Sequence, residues 1–179
     1  MKKLLATVAF ASLFSLAGVI AADSPKEVLN FKIGDDWKAV SHSESGKGGS
    51  ITYIREGDDL SHWKEIFTYL HGVRRRGLRS PEKELGDVEA NEKKKSPGLM
   101  EWNIVSQDEN SILFESHTKW STLTHEQRAI MRIIHGKYNW YTLSYAAKVH
   151  DLDPDTRAQW IKTFSDAAIT TDSSASPGR

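Results

Sequence analysis

The stretch AIMRIIHGKYNWYTLSYAAK, residues 129–148, decides the predicted fold. It contains two runs of β-branched and aromatic residues, at 129–135 and 138–148, and such residues favour strands. Only Gly136 and Lys137 separate the runs, and a two-residue connection of this kind is typical of a β-hairpin. Because hairpins join antiparallel strands, this part of the chain predicts an antiparallel sheet.

Further strands are predicted on the N-terminal side of this hairpin. Trp102 and Ile104 begin one strand, residues 108–110 supply turn-forming side chains, and residues 112–119 form the returning strand of a second hairpin. Three earlier strands, at residues 29–33, 37–42 and 50–56, are predicted to form a β-meander.

Three helices are predicted beside these strands. The first spans residues 61–76, where apolar residues recur at helical spacing: Trp63, Ile66, Phe67, Leu70 and Val73. The second begins at Ser80 and Pro81 and ends at the lysines of 93–95, and the third begins at Asp153. Helices packed on an antiparallel sheet of hairpins make an α+β fold, which is the predicted fold class.

The N-terminus has the features of a cleavable secretory signal peptide. Lys2 and Lys3 precede an apolar run that reaches Ile20, and Ala21 and Ala22 supply a small-residue cleavage site. The alternative is an uncleaved membrane anchor, but the run is shorter than the ~20 residues that a membrane-spanning helix needs and it ends in a cleavage-like site, so we predict cleavage and no transmembrane segment after it. We therefore predict a signal peptide at residues 1–22, one domain at 23–169, a disordered tail at 170–179, and a periplasmic or secreted location.

Composition excludes several classes of protein. The chain has no cysteine, which excludes lipid attachment, disulfide bonds and thiolate chemistry. Lys and Arg number 24, as do Asp and Glu, and cleavage of the signal peptide removes two lysines, which leaves a formal net charge of −2. A protein that binds nucleic acid needs a basic excess on one face, so no nucleic-acid partner is predicted.

Three segments resemble a group of small exported bacterial proteins that are similar to the PsbP-like α/β sandwich. They are residues 51–69 (ITYIREGDDLSHWKEIFTY), 101–115 (EWNIVSQDENSILFE) and 132–169 (RIIHGKYNWYTLSYAAKVHDLDPDTRAQWIKTFSDAAI). The shared residues are mainly core aromatics and turn residues. The resemblance implies a PsbP-like α/β sandwich that acts as an accessory or binding module, and it carries over no functional residue because no site motif matches.

Seven histidines invite a test for a metal site. Glu115 and His117 share one face of a predicted strand, and His125 follows in the next loop, so the three offer a carboxylate and two imidazoles. His62 and Glu65 lie one predicted helical turn apart, but the second histidine of an HExxH motif is missing. The alternative interpretation is that the histidines are exposed or hydrogen-bonded without a metal, and no cofactor is predicted.

Two of the six tryptophans are predicted at the surface. Trp37 and Trp120 lie near predicted turns, where an indole ring can stack on a sugar or contribute to a protein interface. The other four lie on predicted apolar faces and are expected in the core: Trp63, Trp102, Trp140 and Trp160. Trp37 and Trp120 are therefore the predicted binding residues.

No catalytic motif is specific enough to name a reaction. A nucleophile elbow, G-x-S-x-G, is absent from the sequence, and the acidic residues at 58–59 and 151–155 fall where turns and helix caps favour them. The first hypothesis is a non-enzymatic accessory or binding protein that recognises a protein or an envelope component through its sheet edge or the loops around Trp37 and Trp120. Two alternatives stay open: a small hydrolase or metal-dependent enzyme that uses Glu115, His117 and His125, and an envelope inhibitor or immunity protein.

Overall fold

The structure is a computed structural model that describes residues 26–74, 80–95, 98–119, 121 and 125–172. The predicted signal peptide lies outside these residues. The elements follow in the order β1 (Lys26–Asn30), β2 (Trp37–Ser45), β3 (Gly48–Arg55), β4 (Glu65–Val73), α1 (Pro81–Lys95), β5 (Met100–Gln107), β6 (Ser111–Thr118), β7 (Gln127–His135), β8 (Asn139–Ala147), α2 (Pro154–Asp166) and β9 (Ala168–Asp172). Neither helix in this part of the chain is long and apolar enough to span a membrane.

Seven strands form one antiparallel sheet in the order β2-β3-β4-β8-β7-β6-β5. The predicted hairpin of β7 and β8 is confirmed, and it lies inside the sheet with strands on both sides. Its turn is closed by the amide of Gly136, which donates to the carbonyl of Asn139 over 2.7 Å. The predicted hairpin of β5 and β6 is confirmed as well.

Both faces of the sheet are covered. On one face, the aromatic side chains of α2 pack on the central strands, and Trp160 stacks on Tyr145 with 4.4 Å between ring centroids. On the other face, α1 covers a smaller apolar cluster through Leu85. Because the central strands are covered on both sides, residues on both of their faces are buried, as in β6, where seven of the eight residues are buried.

The predicted α+β class is wrong, because the described structure is mainly β. Strands account for 52% of it, and α1 and α2 are its two helices. The helix predicted over residues 61–76 is in fact strand β4, which lies between β3 and β8. The spacing of its apolar residues fits one side of a helix, but these residues lie on opposite faces of the sheet. Phe67 packs on the sheet face that α2 covers, and Ile66 packs on the face that α1 covers. A strand that packs apolar residues on both of its faces can thus show helical periodicity.

The first predicted strand has a different partner from the one expected. β1 is no part of a meander, because it pairs antiparallel with β9 in a separate two-stranded sheet, with Lys26 opposite Asp172. Residues 170–172, which the sequence assigns to a disordered tail, belong to β9, and residues 173–179 lie outside the described part. The predicted helices that follow Ser80 and Asp153 are confirmed as α1 and α2, and the Asp153 carboxylate caps α2 by accepting from the amide of Thr156.

A buried carboxylate fixes β1 to the main sheet. Glu27 is 8% exposed, and its two oxygens accept hydrogen bonds from the backbone amides of Lys137, Tyr138 and Asn139 over 2.8, 2.9 and 2.9 Å. These amides form the turn of the β7–β8 hairpin. Glu27 therefore ties the small sheet to the centre of the large one.

Candidate functional site

A charged cleft lies between the strands β5, β6 and β7 and the segment that leads into α2. It has a volume of about 370 Å³. The ionisable groups that line it come from β5, β6, β7, the segment before α2, and α2 itself: Glu101, Glu115, His117, Arg128, Asp151 and Arg157. The hairpin register brings these parts together, because β6 pairs with both β5 and β7, and the end of β8 lies opposite Arg128.

The charged groups of the cleft are paired with one another. Arg157 donates two hydrogen bonds to the carboxylate of Glu115, over 2.6 and 3.0 Å, which is the bidentate arrangement that holds both side chains in place. Arg128 donates to the carboxylate of Asp151 over 2.8 Å and to the backbone carbonyl of His150 over 2.7 Å. The cleft thus presents fixed charges of both signs.

At one end of the cleft, two histidines share one carboxylate. The Nε2 atom of His117 lies 2.8 Å from Oε1 of Glu126, and the Nδ1 atom of His150 lies 2.6 Å from the same oxygen. The two imidazole rings are nearly perpendicular, with 5.9 Å between their centroids. The side chain of His117 is 9% exposed and that of His150 is 74% exposed, so the group runs from the buried sheet to the surface.

The carboxylates at this end are held in their ionised form. Hydrogen bonds from His117 and then His150 lower the pKa of Glu126 below its ordinary value. A hydrogen bond from Lys119 lowers the pKa of Glu101, and the charge of Lys119 adds to the effect. Hydrogen bonds to the charged form of a carboxyl group favour that form.

The sequence predicted the types of donor at this site but only one of its three members. Glu115 and His117 do lie on β6 two residues apart, but Glu115 is engaged by Arg157 instead of joining the histidine. His125 is exposed and takes no part in the cluster, whereas its neighbour Glu126 does. The register of the β7–β8 hairpin was the signal for the missing members, because it sets the start of β7 beside the end of β8, and hence Glu126 near His150.

The two tryptophans predicted to bind a ligand lie elsewhere. Trp37 is half-buried and meets the rings of Tyr145 and Trp160 edge-on, while the guanidinium of Arg55 lies 4.3 Å from the centre of its ring. The ring therefore contributes to the core, and the binding role of Trp37 stays a prediction. Trp120 lies outside the described residues, and its role stays a prediction as well.

A serine, a histidine and an aspartate also meet in the loop before β4. The hydroxyl of Ser61 and the carboxylate of Asp59 both lie near Nδ1 of His62, at 3.1 Å each. In a catalytic triad the histidine bridges serine and acid through different ring nitrogens. One nitrogen faces both groups here, and Asp59 also accepts from the amides of Ser61 and His62, so the arrangement is that of a turn.

Comparison with known proteins gives a likeness of fold. No protein-family model matches the sequence, and no curated protein matches it. Among solved structures, the chain is similar to LpqN of Mycobacterium tuberculosis, whose structure is described as that of a protein involved in cell envelope biogenesis. The match has a TM-score of 0.51 and 14% sequence identity, and it covers 83% of this chain and 86% of LpqN. The resemblance to the PsbP-like sandwich stays a prediction, and what the comparison adds is that this chain has a fold like that of LpqN.

Proposed function

We propose that the protein is an exported, non-enzymatic accessory or binding protein of the cell envelope. The signal-peptide pattern of residues 1–22 supports export. The similarity of fold to LpqN, a protein involved in cell envelope biogenesis, supports the envelope as the place of action.

The observation that carries the non-enzymatic part of the proposal is the mutual pairing of charges in the cleft. General acid–base catalysis works best when the pKa of the catalytic group lies near the working pH. The pKa values of Glu101 and Glu126 are lowered instead, and Glu115 is held by both nitrogens of an arginine fork. Such groups are suited to recognising a polar partner through fixed charges and less suited to transferring protons.

The partner that fits best is an extended segment of another protein. β5 is an edge strand of the seven-stranded sheet, and its residue Ile104 is 48% exposed. An extended peptide can add to such an edge through backbone hydrogen bonds while neighbouring side chains supply specificity. The charged cleft lies beside this edge, since Glu101 and Asn103 of β5 line it. Both features lie on one strand, which favours β5 over the opposite edge strand β2.

The test is photo-crosslinking in the native envelope from the two edges of the sheet. A photoreactive amino acid placed at Ile104 on β5 should give one discrete adduct, whereas the same residue at Ser43 on β2 should give none. The substitution Ile104→Lys should weaken the adduct because charged edge residues oppose strand addition, and Ser43→Lys is its matched control. Equal adducts from both edges, or none from either, would contradict the proposed binding edge, and turnover of a substrate would contradict the non-enzymatic role.

A further inference from the structure

We propose that His117, Glu126 and His150 form a binding site for one divalent transition-metal ion of the Zn²⁺ class. The inference is independent of the proposed function, because an ion can bind here whether or not β5 receives a partner. The candidate ligand atoms are Nε2 of His117, Oε1 of Glu126 and Nδ1 of His150, and all three lie within 4.8 Å of one another.

The spacing of the three atoms is close to what such an ion requires. Zinc binds imidazole nitrogen and carboxylate oxygen at about 2.0–2.2 Å in tetrahedral geometry, which puts neighbouring ligand atoms roughly 3.3 Å apart. The oxygen of Glu126 now lies 2.8 and 2.6 Å from the two nitrogens. The site therefore has to open by about half an ångström, and the exposed side chain of His150 can move by that amount.

A second pair of carboxylates stands behind the two histidines. Oε2 of Glu101 lies 3.8 Å from Nδ1 of His117, and Oδ2 of Asp151 lies 3.7 Å from Nε2 of His150. These are the ring nitrogens that face away from Glu126. A histidine that binds a metal through one nitrogen usually donates its other N–H to a carboxylate, which fixes the ring and makes the ligand more basic. Both candidate histidines thus have such a carboxylate within 4 Å, through the oxygens that Lys119 and Arg128 do not contact.

The types of donor atom indicate which class of ion the site would bind. Imidazole ligands suit Zn²⁺, Cu²⁺ and Ni²⁺, whereas Mg²⁺ and Ca²⁺ prefer sites made of oxygen atoms. Two nitrogens and one oxygen therefore favour the first group. Three protein ligands leave a position of a four-coordinate ion for water or for a group of a bound partner.

The ion would also join three separate parts of the fold. His117 belongs to β6, Glu126 immediately precedes β7, and His150 lies between β8 and α2. An ion that binds only the folded arrangement stabilises it by mass action. At a free zinc concentration 100-fold above the Kd, the melting temperature should rise by roughly 5–10 °C for a domain of this size.

The experiment is a calorimetric titration of the chelator-treated, signal-free protein with ZnCl₂, accompanied by thermal melting. We expect one ion per chain, a higher melting temperature, and no comparable effect of MgCl₂ or CaCl₂. The key variant is His150→Ala, because this side chain is 74% exposed and its removal costs little packing, and it should weaken zinc binding by at least about tenfold. Its matched control is His62→Ala, another exposed histidine beside a carboxylate, which should bind zinc like the unaltered protein.

Two further variants separate ligation from folding. Glu126→Gln keeps the shape of the side chain and should also weaken zinc binding, while Glu101→Gln should weaken it by roughly tenfold through the orientation of His117. Addition of Co²⁺ should give a visible absorption band that His150→Ala abolishes. The proposal is overturned if excess zinc gives neither heat nor a shift in melting temperature, or if His150→Ala and His62→Ala bind zinc equally well.

Discussion

Replacing Glu27 by alanine removes the acceptor of three backbone hydrogen bonds in the turn of the β7–β8 hairpin. A hydrogen bond to a charged group contributes about 1.5–3 kcal/mol, and a buried amide left without a partner costs about 1–3 kcal/mol. Water can reach the exposed Lys137 and replace part of the loss there. We therefore expect Glu27→Ala to lower the free energy of unfolding by about 3 kcal/mol.

Glu27→Gln is the matched control, because it keeps the shape of the side chain. One oxygen of Glu27 accepts from both Tyr138 and Asn139, and the other oxygen accepts from Lys137. A glutamine can place its single oxygen on the first pair, so it loses one hydrogen bond, and we expect a loss of about 1–2 kcal/mol.

Urea unfolding of the signal-free protein measures both losses. With a slope of about 2 kcal/mol per molar urea, the midpoint should fall by roughly 1.5 M for the alanine variant and by about half that for the glutamine variant. Hydrogen exchange should accelerate most at the amides of residues 137–139. Equal midpoints for Glu27→Ala and the unaltered protein, or unchanged exchange at these amides, would refute the role assigned to the carboxylate.

Three other substitutions or conditions test the packing of the sheet. Gly72→Ala should lower stability by about 1–3 kcal/mol in thermal melts, because an added Cβ would lie 2.6 Å from the indole of Trp140 on the paired strand. Arg132→Met should cost about 2 kcal/mol in urea unfolding, since the Arg132 guanidinium donates to three backbone carbonyls at the end of α2. Burial raises the pKa of Tyr69 from 10.0 to about 12. The stability linked to this group is therefore present below pH 10 and is lost as the pH rises towards 12. Tyr69→Phe should lose less stability than the unaltered protein over this pH range in the same unfolding assay.

The parts of the fold that sequence reasoning predicted are those in which local signals agree with the final structure. The β7–β8 hairpin combines strand formers with a short connection that contains glycine, and α2 combines the Asp153 cap with a proline at its first turn. The prediction of a helix in place of β4 was wrong because both faces of this strand carry apolar residues. Phe67 packs in the cluster beneath α2, while Ile66 packs in the cluster beneath α1. Apolar residues on both faces erase the alternation that identifies a half-buried strand, and only the identity of the neighbouring strands resolves the ambiguity.

The sequence predicted the types of side chain at the candidate site, but only some of the residues that form it. His117 was found because it alternates onto the same face as Glu115. His125 was proposed because it lies close to His117 along the chain, whereas the structure groups His117 with Glu126 and His150, and His150 is brought in by strand pairing between residues about twenty positions apart. The β1–β9 pair was missed for the same reason, since no local sequence pattern indicates that β1 pairs with a strand more than 130 residues later.

That last pairing has a mechanical consequence. Lys26 and Asp172 face each other at the same end of the two-stranded sheet, so a force that pulls the two ends of the domain apart acts on one rung of hydrogen bonds at a time. Strands loaded in this way separate one residue pair at a time, whereas strands pulled in opposite directions along their length must break all their hydrogen bonds together. Only the Lys26–Asp172 pair precedes Glu27, so little of the small sheet should separate at low force before the load reaches the hydrogen bonds between Glu27 and the hairpin turn. A motor or protease that pulls from the N-terminal side of β1 should therefore load that carboxylate after a single pair of residues has separated.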